Sequence, residues 1–150
     1  LLLEPIEAAK YDYIRLPYWE TWGIVMRRDH PLARKETIVR EDLFSVPLSM
    51  PRREIVQDSI TSWLGIERKE LNIFSGHTLL NNAALLVEAG LCCAVCVGGA
   101  LEIRGGDALC FRPFAPERTT GHVLAWKKNR VFHSAASRFR DYIQETKAVL

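Results

Sequence analysis

The feature that most constrains the fold of this chain is an alternation of amphipathic helical segments with short apolar runs. Ile55, Ile60 and Leu64 recur at helical spacing and predict one helix. A second helix is predicted to begin after a capping hydroxyl at Thr78 and to end at Gly90. Because apolar runs of strand length flank both helices, this order favours right-handed crossovers around a mostly parallel sheet. The sequence therefore predicts an α/β fold in which helices flank the sheet.

Strands and helices are also predicted elsewhere along the chain. Extended segments are expected at residues 11–16, 21–27, 46–49, 71–74, 91–97, 109–114 and 122–127. The first two, separated by Pro17, fit either two strands or one long bent crossing. Pro51 is predicted at the first position of its helix, and Ser134 is predicted to cap the last helix. The apolar stripe of the last helix is predicted to contain Phe139, Tyr142, Ile143, Val149 and Leu150.

Composition and charge exclude several classes of protein. A chain of 150 residues that is 48% hydrophobic and 25% charged is ordinary for one globular domain. Its net charge of +2 is too small and too evenly spread to predict direct binding of nucleic acid. No apolar run reaches the roughly 18 residues that a membrane span needs, and no signal peptide is visible. The first residue is Leu1 and not Met, so either an excised fragment or a processed chain is expected.

The cysteines are predicted to be small buried residues. Cys92, Cys93 and Cys96 lie within one apolar strand-like run, and Cys110 lies in another. Side chains alternate along a strand, so Cys93 and Cys96 should face opposite ways and not converge on a metal. A redox role is the second interpretation and zinc the third. Reduced thiols in a core favour a cytoplasmic location.

Three stretches of the chain, in this order and spacing, resemble the LysR-type transcriptional regulators in their inducer-binding region. They are residues 25–33 (VMRRDHPLA) with 39–43 (VREDL), residues 86–91 (LVEAGL), and residues 111–114 (FRPF) followed by 124–128 (LAWKK). At position 92 the chain has Cys where the family usually has Gly.

The resemblance implies a periplasmic-binding-protein-like fold of two α/β subdomains that hold a small-molecule effector in their cleft. Residues 1–18 would be part of subdomain I and a crossing strand. Residues 19–112 would form subdomain II, and residues 113–150 the return segment and C-terminal helix of subdomain I. Full members bind DNA through an N-terminal winged helix-turn-helix, which is not in this sequence. The implied function is to couple effector binding to control of transcription.

The candidate effector site lies at the carboxyl ends of the predicted parallel strands, where the next helices begin. The six candidate effector-binding residues are Ser49, Arg52, His77, Thr78, Asn81 and Asn82. A cation or a hydroxyl beside open helical N–H groups suits an anionic effector. The alternatives are helix capping for the two hydroxyls, a surface role for the arginine and a solvated loop for the histidine. His30, which precedes Pro31, is expected to order a turn.

No catalytic residue, metal site or cofactor is predicted, because no nucleophile, base and orienting group occur together and no histidine has a second ligand at metal-binding spacing. A periplasmic-type solute-binding protein is the main alternative, and a small enzyme is the third. The stripe of the last helix and the open strand edges predict a homodimer or a higher homo-oligomer, or else a rearranged packing of the return segment onto residues 19–112. Because part of subdomain I is expected to be missing, weak or no effector binding is predicted for the chain alone.

Overall fold

The chain forms two compact units in the computed structural model, which describes residues 1–104 and 106–146. Unit 1 comprises Leu1–Trp19 and Thr120–Leu150, and unit 2 comprises Glu20–Thr119. The chain passes from unit 1 into unit 2 within one long strand, β2 (Tyr11–Arg27). The two segments expected on either side of Pro17 are therefore one strand. The assignment of ranges to effector subdomains remains a prediction.

Unit 2 carries most of the sheet. Its elements after β2 are α1 (Arg40–Leu43), β3 (Leu48–Pro51), α2 (Glu54–Leu64), β4 (Ile73–His77), α3 (Leu80–Glu88), β5 (Cys93–Val97), α4 (Gly99–Arg104) and β6 (Leu109–Pro113). Strand β3 pairs in parallel with β4 and β5, whereas β2 pairs antiparallel with β5 and β6. The predicted α/β fold with helices flanking a sheet is confirmed. The sheet is mixed and not mostly parallel, because an apolar run does not specify the direction of its neighbours.

The core of unit 2 lies where β2 and β5 meet helix α3. Ile24, Val25 and Met26 of β2 have no exposed surface, and neither has Ala84 of α3, while Val87 of α3 is 1% exposed. Burial of each large side chain stabilises the fold by about 1.5–3 kcal/mol. Gly23 is required here, since a Cβ at that position would lie 2.2 Å from the carbonyl oxygen of Arg112.

Unit 1 contains a short strand, a long strand and the last helix. Strand β1 (Leu2–Leu3) pairs antiparallel with β7 (Thr119–Lys127), and α5 (Ser134–Thr146) begins at the residue predicted to cap it. None of the described residues of α5 is buried. The predicted stripe is thus exposed at Phe139 and Tyr142, while Val149 and Leu150 lie outside the described residues.

Several element ends differ from the prediction. Pro51 is the last residue of β3, and α2 begins at Glu54. The residue before α3 is Leu79, not Thr78, and the Leu79 side chain forms no capping hydrogen bond. Backbone pairing explains both shifts, because Pro51 lies opposite His77 and the two strands continue to these residues. Within residues 1–104 and 106–146, no helix is long and apolar enough to cross a membrane.

Candidate functional site

The carboxyl ends of β3, β4 and β5 meet at one edge of unit 2. We call this edge the rim and define it as residues 49–53, 76–79 and 97–99. The three strands are parallel, so helices α2, α3 and α4 all begin at the rim. Ligands of open α/β sheets bind outside this edge of the strands. The rim is therefore the part of unit 2 to test for a binding site.

A hydrogen-bonded group of three side chains lies beside the rim. The Ser75 hydroxyl donates to Ser49 Oγ at 2.9 Å, and Ser49 Oγ lies 2.9 Å from Nδ1 of His77. The strand register places Ser49 opposite both Ser75 and Ala94, which brings the three polar residues to one face. Ser49 has no exposed surface. Two of the six predicted residues, Ser49 and His77, are thus in direct contact.

His77 is held by the fold on more than one side. Burial lowers the pKa of its imidazole, and a hydrogen bond to the backbone of Val95 acts in the opposite direction. The ring is thus in contact with Ser49 of β3, and its pKa responds to the backbone of β5. Contacts inside the protein occupy His77, so it is not a solvated loop histidine.

Arg52 lies at the rim on the other face of the sheet. Its backbone N–H donates to the carbonyl oxygen of His77 at 2.8 Å. Its side chain lies against Gly76, where an added Cβ would be 3.1 Å from Cγ of Arg52. Gly76 and His77 are adjacent in β4 and face opposite ways. The exposed arginine therefore does not join the group formed by Ser49 and His77.

Thr78, Asn81 and Asn82 are exposed at the start of α3. Thr78 does not cap the helix, because the N-cap position belongs to Leu79, which has no side-chain hydrogen bond to the helix. The first turn of α3 also carries no acidic residue. The N-cap residue of α3 thus supplies no capping hydrogen bond and the first turn supplies no carboxylate, which is the arrangement that favours an anion.

Gln57 is a buried polar residue at this edge that the sequence analysis missed. Its Nε2 donates to the carbonyl oxygen of Pro51. Its Oε1 is buried and has no hydrogen-bond partner within the part of the chain that the structure describes. The signal for this residue was present, because Gln57 lies three residues before Ile60 on the apolar stripe of α2. A polar residue on such a stripe usually binds a specific partner.

The remaining predicted polar residues have structural roles. His30 accepts a hydrogen bond from the Leu32 N–H through Nδ1, which confirms that it orders a turn. All four cysteines are buried and free, as predicted. Burial raises the pKa of Cys93 to about 12 and raises that of Cys96 as well. The described residues contain no group of three His, Cys, Asp or Glu side chains that could hold a metal ion.

A separate cavity lies in unit 1. Its volume is about 400 Å³. It is lined in part by Tyr11, Trp126 and Phe132, together with the cations Lys127 and Arg130. None of the six predicted effector-binding residues lines this cavity, so it gives no support to the predicted site.

Comparisons with known proteins identify related sequences and folds. The family model described as the LysR substrate binding domain matches residues 1–148. No curated protein matches the sequence. HinK, a LysR family transcriptional regulator from Pseudomonas aeruginosa, is 18% identical with a TM-score of 0.66, covering 95% of this chain and 50% of that one. The chain therefore spans half the length of HinK.

Two structures with bound small molecules are also similar. The regulatory domain of Synechocystis PCC6803 CcmR, solved in complex with 2-PG, is 16% identical with a TM-score of 0.69, covering 97% of this chain and 71% of that one. The effector binding domain of QuiR, solved in complex with shikimate, is 14% identical with a TM-score of 0.72, covering 97% of this chain and 69% of that one. At these identities the likeness shows the fold alone.

Proposed function

Because the chain belongs to the LysR substrate-binding domain family, we propose that it is the small-molecule-sensing part of a bacterial LysR-type transcriptional regulator. The observation that carries this proposal is the match of the family model to residues 1–148. The complexes of CcmR with 2-PG and of QuiR with shikimate support a small molecule as the ligand class. Within this scheme, residues 19–112 are effector subdomain II, and residues 1–18 and 113–150 are parts of subdomain I.

The proposed effector contacts are at the rim, and the proposed effector is an anion. The guanidinium of Arg52 is exposed there. The first turn of α3 has no acidic residue, whereas that of α2 has Glu54. A helix N-terminus carries about half a positive charge, which favours an anion next to α3. Thr78, Asn81 and Asn82 are the side chains that would accompany the N–H groups of α3.

Sensing requires that the effector binds one conformation of the regulator better than another, since equal affinities shift no equilibrium. We propose that this shift in conformation changes DNA binding by a winged helix-turn-helix of a longer protein, within a homodimer or a higher homo-oligomer. A cytoplasmic, non-enzymatic role follows from the same proposal. No step of it requires a cofactor or a metal ion.

A thermal-shift screen of small carboxylates, amino acids and aromatic acids against an intact effector domain that includes this chain tests the proposal. At a ligand concentration about 100-fold above Kd, one site stabilises by roughly 2.7 kcal/mol. That stabilisation corresponds to a rise in Tm of several degrees for a chain of this size. The variant Arg52→Gln should lose most of the shift.

The matched control is Arg68→Gln, which removes a cation from the 3-10 turn Arg68–Glu70 and should keep the full shift. If none of these compounds raises Tm, or if both variants respond as the unaltered chain does, the proposed effector site is wrong.

A further inference from the structure

The hydrogen bonds between Ser75, Ser49 and His77 have a direction. Each serine hydroxyl has one proton to donate. Ser75 donates its proton to Ser49, so Ser49 is left to donate its own proton to Nδ1 of His77. Ser49 has no exposed surface and cannot turn to water instead. The neutral ring of His77 then carries its proton on Nε2. The backbone of Val95 raises the pKa of His77, which is the sign expected when the ring donates to a carbonyl oxygen.

Protonation of His77 would reverse this direction. With both ring nitrogens carrying protons, Nδ1 becomes a donor and Ser49 Oγ accepts from it. The Ser49 hydroxyl then needs a new acceptor, and Ser75 Oγ is 2.9 Å away. Ser75 is half-buried, so its own proton can turn toward solvent. No polar atom of the group is left without a partner in either state, which avoids a cost of about 1–3 kcal/mol per unsatisfied group.

The charged groups around the rim are few. Arg52, the residue after β3, lies on the opposite face of the sheet from His77, and the first turn of α3 contains no acidic residue. The Glu20 carboxylate accepts a hydrogen bond from the Gly99 N–H at the start of α4 and helps to raise the pKa of Cys96. On β5, Cys96 shares the face of Ala94, and burial raises the pKa of its thiol, so it carries no charge at neutral pH. The influences on the pKa of His77 are burial, which lowers it, and the backbone of Val95, which raises it. Neither Glu20 nor Arg52 is among the influences on the pKa of His77, so an anion at the start of α3 would bring a new charge to this ring.

We propose that Ser75, Ser49 and His77 form a reversible hydrogen-bond relay through which the rim takes up a proton when an anion binds. This inference rests on the proposed function, because it assigns a regulation to the proposed anion site. His77 lies three residues before Leu80, the first residue of α3, so an anion on the first turn favours the charged ring. Linkage then requires anion affinity to increase as pH falls through the pKa of His77.

Nuclear magnetic resonance of the imidazole nitrogens tests the relay directly. In the unaltered chain at pH 7.5 we expect Nδ1 without a proton and Nε2 with one. A neutral ring protonated on Nδ1 overturns the proposal, and this measurement needs no variant.

The variants Ser75→Thr and Ser75→Val form a matched pair, since they have nearly the same shape and differ in the hydroxyl. Without that hydroxyl, Ser49 has no acceptor once His77 is charged. We expect proton affinity of His77 to be about threefold lower in Ser75→Val than in Ser75→Thr, a difference of roughly half a pH unit. The Ser75 hydroxyl is hydrogen-bonded to Ser49, so a merely structural role of Ser75 would leave the two titrations equal. Equal titrations overturn the relay.

Sulfate is the anion probe, because its charge stays constant across the titration. With sodium chloride at matched ionic strength as the control, sulfate should raise the pKa of His77 and bind more tightly at pH 5.5 than at pH 7.5. If sulfate leaves the histidine unchanged while the thermal-shift screen finds an Arg52-dependent ligand, the relay inference fails and the proposed function stands. If neither experiment detects an anion, both fail.

Discussion

Ser49 contributes to the stability of unit 2 through its two hydrogen bonds. Its hydroxyl has partners on both sides, Ser75 and His77, and it is fully buried. Replacement by alanine would remove both bonds and leave the Nδ1 acceptor of His77 without its donor. We expect Ser49→Ala to lower the free energy of unfolding by about 1–3 kcal/mol.

Urea denaturation measures this change. The control is Ser62→Ala, an exposed serine on α2, which should change the free energy of unfolding by less than about 0.5 kcal/mol. Equal effects of the two substitutions would contradict the role given to the Ser49 hydroxyl.

Single residues differed in how far the sequence could predict them. The buried cysteines follow from an apolar strand-like run, because such a run specifies burial directly. The contact of Ser49 with His77 could not be predicted, because the two residues are 28 apart in sequence and meet only through the register of β3 and β4. The buried Oε1 of Gln57, which has no partner among residues 1–104 and 106–146, likewise depends on how α2 packs at the end of β3.

The start of helix α3 lacks a stabilising capping interaction that a different residue at position 79 could supply. Its N-cap residue, Leu79, is 66% exposed and forms no capping hydrogen bond. Aspartate or serine at this position can accept a hydrogen bond from the first turn, which stabilises by about 0.5–2 kcal/mol. We therefore expect both Leu79→Asp and Leu79→Ser to raise Tm.

The two variants should differ in anion binding. The carboxylate of Leu79→Asp occupies the positive end of the helix and repels an anion, whereas Leu79→Ser adds no charge. Sulfate affinity at pH 5.5 should fall severalfold in the aspartate variant and much less in the serine variant. Equal affinities in the two variants would remove the first turn of α3 from the proposed site.

The elements were predicted more reliably than their ends. Periodicity indicated α2 and α3, and the position of Gly65 was informative because it adopts a left-handed φ of 65° after α2. Both helices begin later than predicted. Pro51 was expected to open α2 and Thr78 to cap α3, but Pro51 and His77 are still paired as strand residues. Backbone pairing between distant strands overrides local capping signals.

The order of helices and strands along the chain carried most of the information about the fold. It predicted the α/β fold, which the structure and the similar regulatory domains confirm. It did not predict that β2 runs antiparallel to both β5 and β6. The neighbouring strands are all apolar. Their hydrophobic residues are buried equally well whether the adjacent strand runs parallel or antiparallel.

The exposed face of α5 leads to a prediction about assembly. Phe139 and Tyr142 are 56% and 62% exposed on one helix of unit 1, and aromatic side chains grouped in this way favour association. We predict a homodimer, or a higher homo-oligomer, that covers this face. The double variant Phe139→Glu and Tyr142→Glu should shift light scattering toward the monomer mass of 17.1 kDa.

The control for this shift is Gln144→Glu, which adds a charge to the same helix at an exposed polar position. It should leave the oligomer intact, because no aromatic surface is removed. A charge placed in a buried aromatic contact costs several kcal/mol unless it is paired, whereas one at an exposed position costs little. An unaltered chain that scatters as a 17.1 kDa monomer at high concentration would refute the dimer, and dissociation by Gln144→Glu would show that the aromatic face is not the contact.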